Sequence, residues 1–181
     1  VVDRRELFAG QYMVVRNIRD PSKSSIVHGP RLYELQSPWE VLEATKDAIP
    51  LKINQFLLIE DTSDPAKNAY VKGPLNWMPD TLYQRIGTVD VPLRSGATER
   101  REGVQDAVVL DASDYIVVTS REGTKRTLTG PAVFVPTYGD SWTYPALCVT
   151  VPINNYIVVE DTANHDQPLR HVRGPCKHYN Q

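Results

Sequence analysis

Two cysteines, Cys148 and Cys176, are too few for a multi-bridge framework, so stability has to come from packing. No apolar run approaches the roughly eighteen residues of a spanning helix, so membrane insertion is not expected. Charge of one sign is not in excess either. The 20 Lys+Arg against 22 Asp+Glu leave -2, and no basic surface calls for nucleic acid as a partner. A Gly-rich phosphate loop, a G-x-S-x-G elbow and a C-x-x-C pair are all missing. Helical periodicity is scarce: Trp39 to Lys46 is bracketed by Pro38 and Pro50 and reads as strand. The chain opens on Val1 with neither methionine nor an apolar leader, so any targeting segment is expected outside this sequence. What is present, 41% hydrophobic residues over 181 positions, suffices for one medium or two small globular domains.

Glycine and proline carry the pattern. Four of the 10 glycines and four of the 14 prolines form one dipeptide, at Gly29-Pro30, Gly73-Pro74, Gly130-Pro131 and Gly174-Pro175, which marks an internal repeat. An apolar residue stands two positions before each glycine: Val27, Val71, Leu128 and Val172. A ring stands three after each proline: Tyr33, Trp77, Phe134 and His178. Upstream, an aromatic leads three apolar residues at Tyr12-Met13-Val14-Val15, Phe56-Leu57-Leu58-Ile59, Tyr115-Ile116-Val117-Val118 and Tyr156-Ile157-Val158-Val159. Downstream of the dipeptides recur Ile49-Pro50-Leu51, Val91-Pro92-Leu93 and Val151-Pro152-Ile153.

These runs are strand formers, and turn chemistry separates them at Asp20-Pro21-Ser22, Ser63-Asp64-Pro65, Arg121-Glu122-Gly123 and Asn164-His165-Asp166. The expected fold is all-β: a tandem repeat of four Gly-Pro β-hairpin units in two pseudo-symmetric antiparallel β-sheet domains, 11–92 and 107–181. The polar stretch 93–106 between them is expected as a charged linker. Glycine is expected at each step for its torsions, proline to end the ladder, and the ring to pack back as core.

Val151 to Asp161, followed by Leu169-Arg170-His171-Val172-Arg173-Gly174-Pro175, resembles the β-repeat of the major vault protein family. Gly29-Pro30-Arg31-Leu32-Tyr33, then Trp39-Glu40-Val41-Leu42 and Ile49-Pro50-Leu51, looks like the next elements of that repeat. As a short chain of two β-halves, the sequence also resembles in architecture the pyrenoid shell proteins of diatoms and related algae. Both resemblances imply a wall-forming, non-enzymatic protein whose partner is itself. They place it in the plastid stroma around a Rubisco condensate, or in the cytoplasm as a vault-type particle wall.

Chemistry has few footholds. Cys176, His178 and His171 are a poor zinc set, and His28 and His165 add no ligand spacing. Glu60-Asp61 and Glu160-Asp161 are the recurrent carboxylates, suited to calcium or acid/base work but placed where Asp commonly forms turn bonds. Cys148 reads as a small buried strand residue. No cofactor is expected and no catalytic residue is assigned. Three functional classes follow: a self-assembling lattice with head-to-tail contacts and a rim at Arg100, Arg101 and Glu102; a monomeric binding module, for example for carbohydrate, using Trp39, Trp77, Trp142 and the tyrosines; and an enzyme with a scattered site.

Overall fold

A computed structural model of the chain describes residues 4–160 and 169–179. The protein is all-β, with antiparallel sheets, two short 3-10 turns and no α-helix among these residues. The first strands are β1 (Arg4–Leu7), β2 (Gln11–Asn17), β3 (Ser25–His28) and β4 (Arg31–Glu34). β2 and β3 form a hairpin, closed by a 3-10 turn over Pro21–Lys23 that Asp20 caps through the Ser22 amide. A cis Gly29-Pro30 bond then turns the chain, and β4 runs back antiparallel to β1. The other edge of β2 is covered by β5 (Glu40–Leu42) and β6 (Lys46–Asp47).

The same order follows in β7 (Ile49–Leu51), β8 (Gln55–Asp61), β9 (Ala69–Lys72) and β10 (Leu75–Trp77). Next come β11 (Gln84–Ile86), β12 (Thr88–Pro92), β13 (Thr98–Glu102) and β14 (Gln105–Asp106), with β11 and β14 lying along the free edge of β8. The order recurs in β15 (Val108–Leu110), β16 (Asp114–Thr119), β17 (Lys125–Thr129) and β18 (Ala132–Phe134). There β19 (Ser141–Trp142) and β20 (Ala146–Leu147) cover β16. The last strands are β21 (Val149–Val151), β22 (Tyr156–Glu160), β23 (Leu169–Arg173) and β24 (Cys176–His178).

The chain divides into two compact units. One holds Val1–Val91, Glu99–Ala107 and Val135–Tyr138; the other holds Pro92–Thr98, Val108–Phe134 and Gly139–Gln181. One sequence expectation is corrected here. The 93–106 stretch is exposed but is not an unstructured linker: β12 and β13 pair, and β14 joins the sheet of β8. Val91-Pro92 ends β12, and Val108–Leu110 is the strand that pairs with β18.

Burial concentrates in three small cores: Leu7, Met13, Val15 and Val27; Leu51, Leu57 and Ile59; Leu110, Ile116, Val118 and Phe134. Each lies where a lead strand, a hairpin and a return strand meet. Cores this small are marginal alone, so neighbouring segments must complete them.

Candidate assembly surface

The four Gly-Pro steps share one geometry. The amides of Gly29, Gly73, Gly130 and Gly174 donate to the carbonyls of Gln11, Gln55, Asp114 and Asn155, at 2.8 to 2.9 Å. A Cβ on these glycines would fall on the carbonyl oxygens of Phe8, Lys52, Asp111 and Pro152, respectively. Those carbonyls are themselves fixed by accepting the amides of Gln11, Gln55, Asp114 and Asn155. None of the four glycines has a positive φ. The expectation that glycine is there for its torsions is therefore corrected: close backbone approach requires it. Pro30, Pro74, Pro131 and Pro175 each follow a cis bond.

The rings after these steps differ in depth. Phe134 is 5% exposed and meets Trp142 edge-on at 5.9 Å. Tyr33 and Trp77 are only half-buried, flanking their cores instead of filling them. The Tyr33 hydroxyl donates to Glu40 at 3.1 Å, a polar anchor that holds the ring near the surface, and burial together with that carboxylate pushes the phenol pKa up. His178 is half-buried in β24.

Arg100, Arg101 and Glu102 are exposed on β13. Arg100 reaches Asp90 at 3.3 Å and Arg101 reaches Glu99 at 2.6 Å, surface pairs that contribute little to folding and are free to exchange partners. Trp77 and Trp142 pack in different cores, and the exposed Trp39 carries the Arg19 guanidinium 5.4 Å from its ring centroid.

The recurrent carboxylates separate into distinct roles. Asp61 is buried, and its Oδ1 accepts from the Ser63 amide and hydroxyl and from the Asp64 amide. Asn17 makes the corresponding turn with the amides of Arg19 and Asp20. These bonds, led by the Ser63 hydroxyl, hold the Asp61 carboxyl below its ordinary pKa. A depressed carboxylate contributes stability above its unfolded pKa and loses it as pH falls through the folded value. Asp61→Asn, which copies Asn17, is expected to fold at neutral pH and to flatten the acid limb of stability; urea titrations at neutral and acid pH check this. Glu160 ends β22 in solvent, while Asp161 and His165 lie outside the described residues.

The other candidate ligands are dispersed. His28 contacts the Pro79 carbonyl at 2.8 Å, and His171 stacks on Tyr156 at 5.1 Å. Among the described residues no three His, Cys, Asp or Glu side chains gather as a metal set. Cys148 is half-buried in the gap between β20 and β21 rather than inside a strand. No helix is long and apolar enough to cross a membrane among the described residues.

Sequence reasoning missed the surface that the strand pattern exposes. The lead and return strands form two-stranded sheets, β1 with β4, β7 with β10, β15 with β18 and β21 with β24. Opposite one another on β15 and β18 stand Val109 and Val133, 61% and 50% exposed. Leu32, Leu147, Ile153, Tyr156, Val158 and Leu169 are also more than half exposed. Apart from Ile153, which lies in the turn between β21 and β22, these residues sit on short strands whose alternation was readable, whereas their exposure was not. No protein-family model matches this sequence, and no curated protein matches it.

Proposed function

We propose that this chain is a non-enzymatic structural protein that self-assembles edge to edge into an extended sheet, tube or shell enclosing a compartment. Its four Gly-Pro steps, each following a hairpin and leading into a returning strand, are read as a tandem repeat of four units in two pseudo-symmetric β domains. The observation that carries the reading is the set of sheets that are two-stranded among the described residues, together with the exposed valine pair Val109 and Val133. Open strand edges either are blunted or find partners, and apolar residues beside them favour partners. A net charge of -2 offers little self-repulsion. Contacts between one half of a chain and the other half of its neighbour do not close, so a head-to-tail arrangement grows into a lattice.

The resemblances to vault repeats and pyrenoid shell proteins agree with wall building. In the pyrenoid version the enclosed client is a Rubisco condensate in the plastid stroma; in the vault version the wall is cytoplasmic. Purified protein is expected to form large ordered assemblies at micromolar concentration, seen by size-exclusion chromatography and negative-stain imaging. Reversing Arg100, Arg101 and Glu102 should loosen them while leaving the circular dichroism of the subunit unchanged. A sharp monomer peak across a wide range of concentration and salt would overturn the reading.

A further inference from the structure

The hairpin turns of the first two units are built alike, so each serves as a control for the other. Asn17 and Asp61 each accept two backbone amides within the turn. Asp20 and Asp64 cap the 3-10 turns, and Lys23 and Lys67 pair with them at 3.5 and 3.7 Å. Across the turn, the amides of Ile18 and Thr62 donate to the carbonyls of Trp39 and Tyr83, both at 2.9 Å. Glu40 and Gln84 each accept the amide four residues earlier, from Gln36 and Asp80, at 2.7 and 2.8 Å.

Beside the first turn lies an open cleft of about 560 Å³, whose walls include Asn17, Arg19, Asp20, Lys23, Trp39 and Glu40. Three of these are more than the turn requires. In the second unit Ser63 stands where Arg19 stands, Tyr83 where Trp39 stands and Gln84 where Glu40 stands. The same backbone bonds form with either set, so a guanidinium, an indole and a second carboxylate are surplus to the fold. The open position of the ring belongs to the turn itself: Trp39 is 44% exposed, and Tyr83, with a unit before it and another after it in the chain, is 55% exposed.

The surplus groups are placed but not spent. The Arg19 guanidinium lies over the Trp39 ring, 5.4 Å from its centroid, and among the described residues no carboxylate pairs with it. That attraction fixes the charge without giving its N–H donors an acceptor oxygen. Glu40 Oε2 accepts the Gln36 amide and the Tyr33 hydroxyl, which orients the carboxylate, while Oε1 accepts nothing among the described residues.

We propose that this cleft binds a neutral saccharide, with one sugar ring against Trp39 and its hydroxyls shared between Arg19 and Glu40. The charges of the walls select that class. Arg19 and Lys23 cancel Asp20 and Glu40, so an anion entering the cleft meets two carboxylates and a cation meets two positive charges. A sugar hydroxyl donates and accepts at once, and so satisfies both kinds of wall group. The indole presents a flat apolar face of negative charge density to the C–H face of the ring. The volume falls within the roughly 300–1,000 Å³ of small-molecule sites. This site goes beyond the assembly reading and stands whether or not the chain assembles.

The test is a titration of the purified chain with the neutral trisaccharides of glucose, galactose, mannose and xylose, each up to about 10 mM. Tryptophan fluorescence and calorimetry read it, on subunit and assembly alike. At least one sugar should give a saturable fluorescence change that vanishes in Trp39→Tyr, which copies Tyr83. Arg19→Ser and Glu40→Gln copy Ser63 and Gln84 and so keep the turn, which circular dichroism checks; each should weaken binding on the order of tenfold. A purely structural role for the two side chains would leave the affinity unmoved. Silence with all four sugars, or affinities that Arg19→Ser and Glu40→Gln do not change, would overturn the site. Tighter binding of trigalacturonate or of an acidic peptide than of every neutral sugar would overturn the ligand class and give Arg19 to an anion. Size-exclusion chromatography of the same samples keeps the two readings apart: a monomer that binds sugar removes assembly alone, and an assembly that binds none removes this site alone.

Discussion

Gly130→Ala is expected to destabilise the protein by about 3 kcal/mol, measured by urea unfolding, and the same change at Gly123 by only about 1 kcal/mol. The contrast separates two reasons for glycine. Gly123 has φ +84° in a hairpin turn, with nothing within 4 Å of the place a Cβ would take. Alanine there meets backbone strain alone. Gly130 has an ordinary φ, but its Cβ would overlap the Asp111 carbonyl. That carbonyl cannot withdraw cheaply. It accepts the Asp114 amide at 2.9 Å, and the Asp114 carbonyl in turn accepts the Gly130 amide at 2.9 Å. Moving it breaks the corner that aims β18 back at β15. Since Gly29, Gly73 and Gly174 meet the same kind of carbonyl, their alanine variants should fall with Gly130→Ala. Equal losses at positions 123 and 130 would show that close approach is not what selects glycine.

The all-β architecture was legible because it rests on local signals: β-branched runs, Asp-Pro turns and the recurring Gly-Pro. Asp20 and Asp64 cap their 3-10 turns where the turn signals stood. What the sequence hid was non-local. Val91-Pro92 has the composition of a lead strand, yet whether it leads depends on which segment reaches β18, and Val108–Leu110 does so. The stretch 93–106 looked solvated because its side chains are polar, and they are exposed on β13; backbone pairing with β12 leaves no trace in side-chain polarity. Ring burial misled for a related reason. Tyr33, Trp77 and Phe134 hold the same place in the pattern, but depth is set by the neighbouring segments. Tyr33 is tied to Glu40 near the surface, whereas Phe134 is enclosed by Trp142.

Phe134→Ala is therefore expected to be the most damaging of the ring truncations, at about 3–5 kcal/mol. Phe134 is buried with Leu110, Ile116 and Val118, on the return strand that pairs Val108–Leu110. Removing it opens a cavity at the meeting point of three strands and strips Trp142 of its edge-to-face partner. Trp142 lies on β19, the strand that covers β16, so the loss reaches from the core to the edge cover. Trp77 and Tyr33 keep part of their surface in water already, and truncation there removes less burial; for Tyr33 it also removes one part-buried hydrogen bond worth about 1 kcal/mol. Urea unfolding of the three alanine variants should rank Phe134 first, and Phe134→Leu, which refills most of the space, should recover most of the loss. A Trp77→Ala variant that loses as much as Phe134→Ala would mean that the half-buried ring is core after all. Assembly would then be its cover, and the deficit should shrink when measured on monomeric subunits.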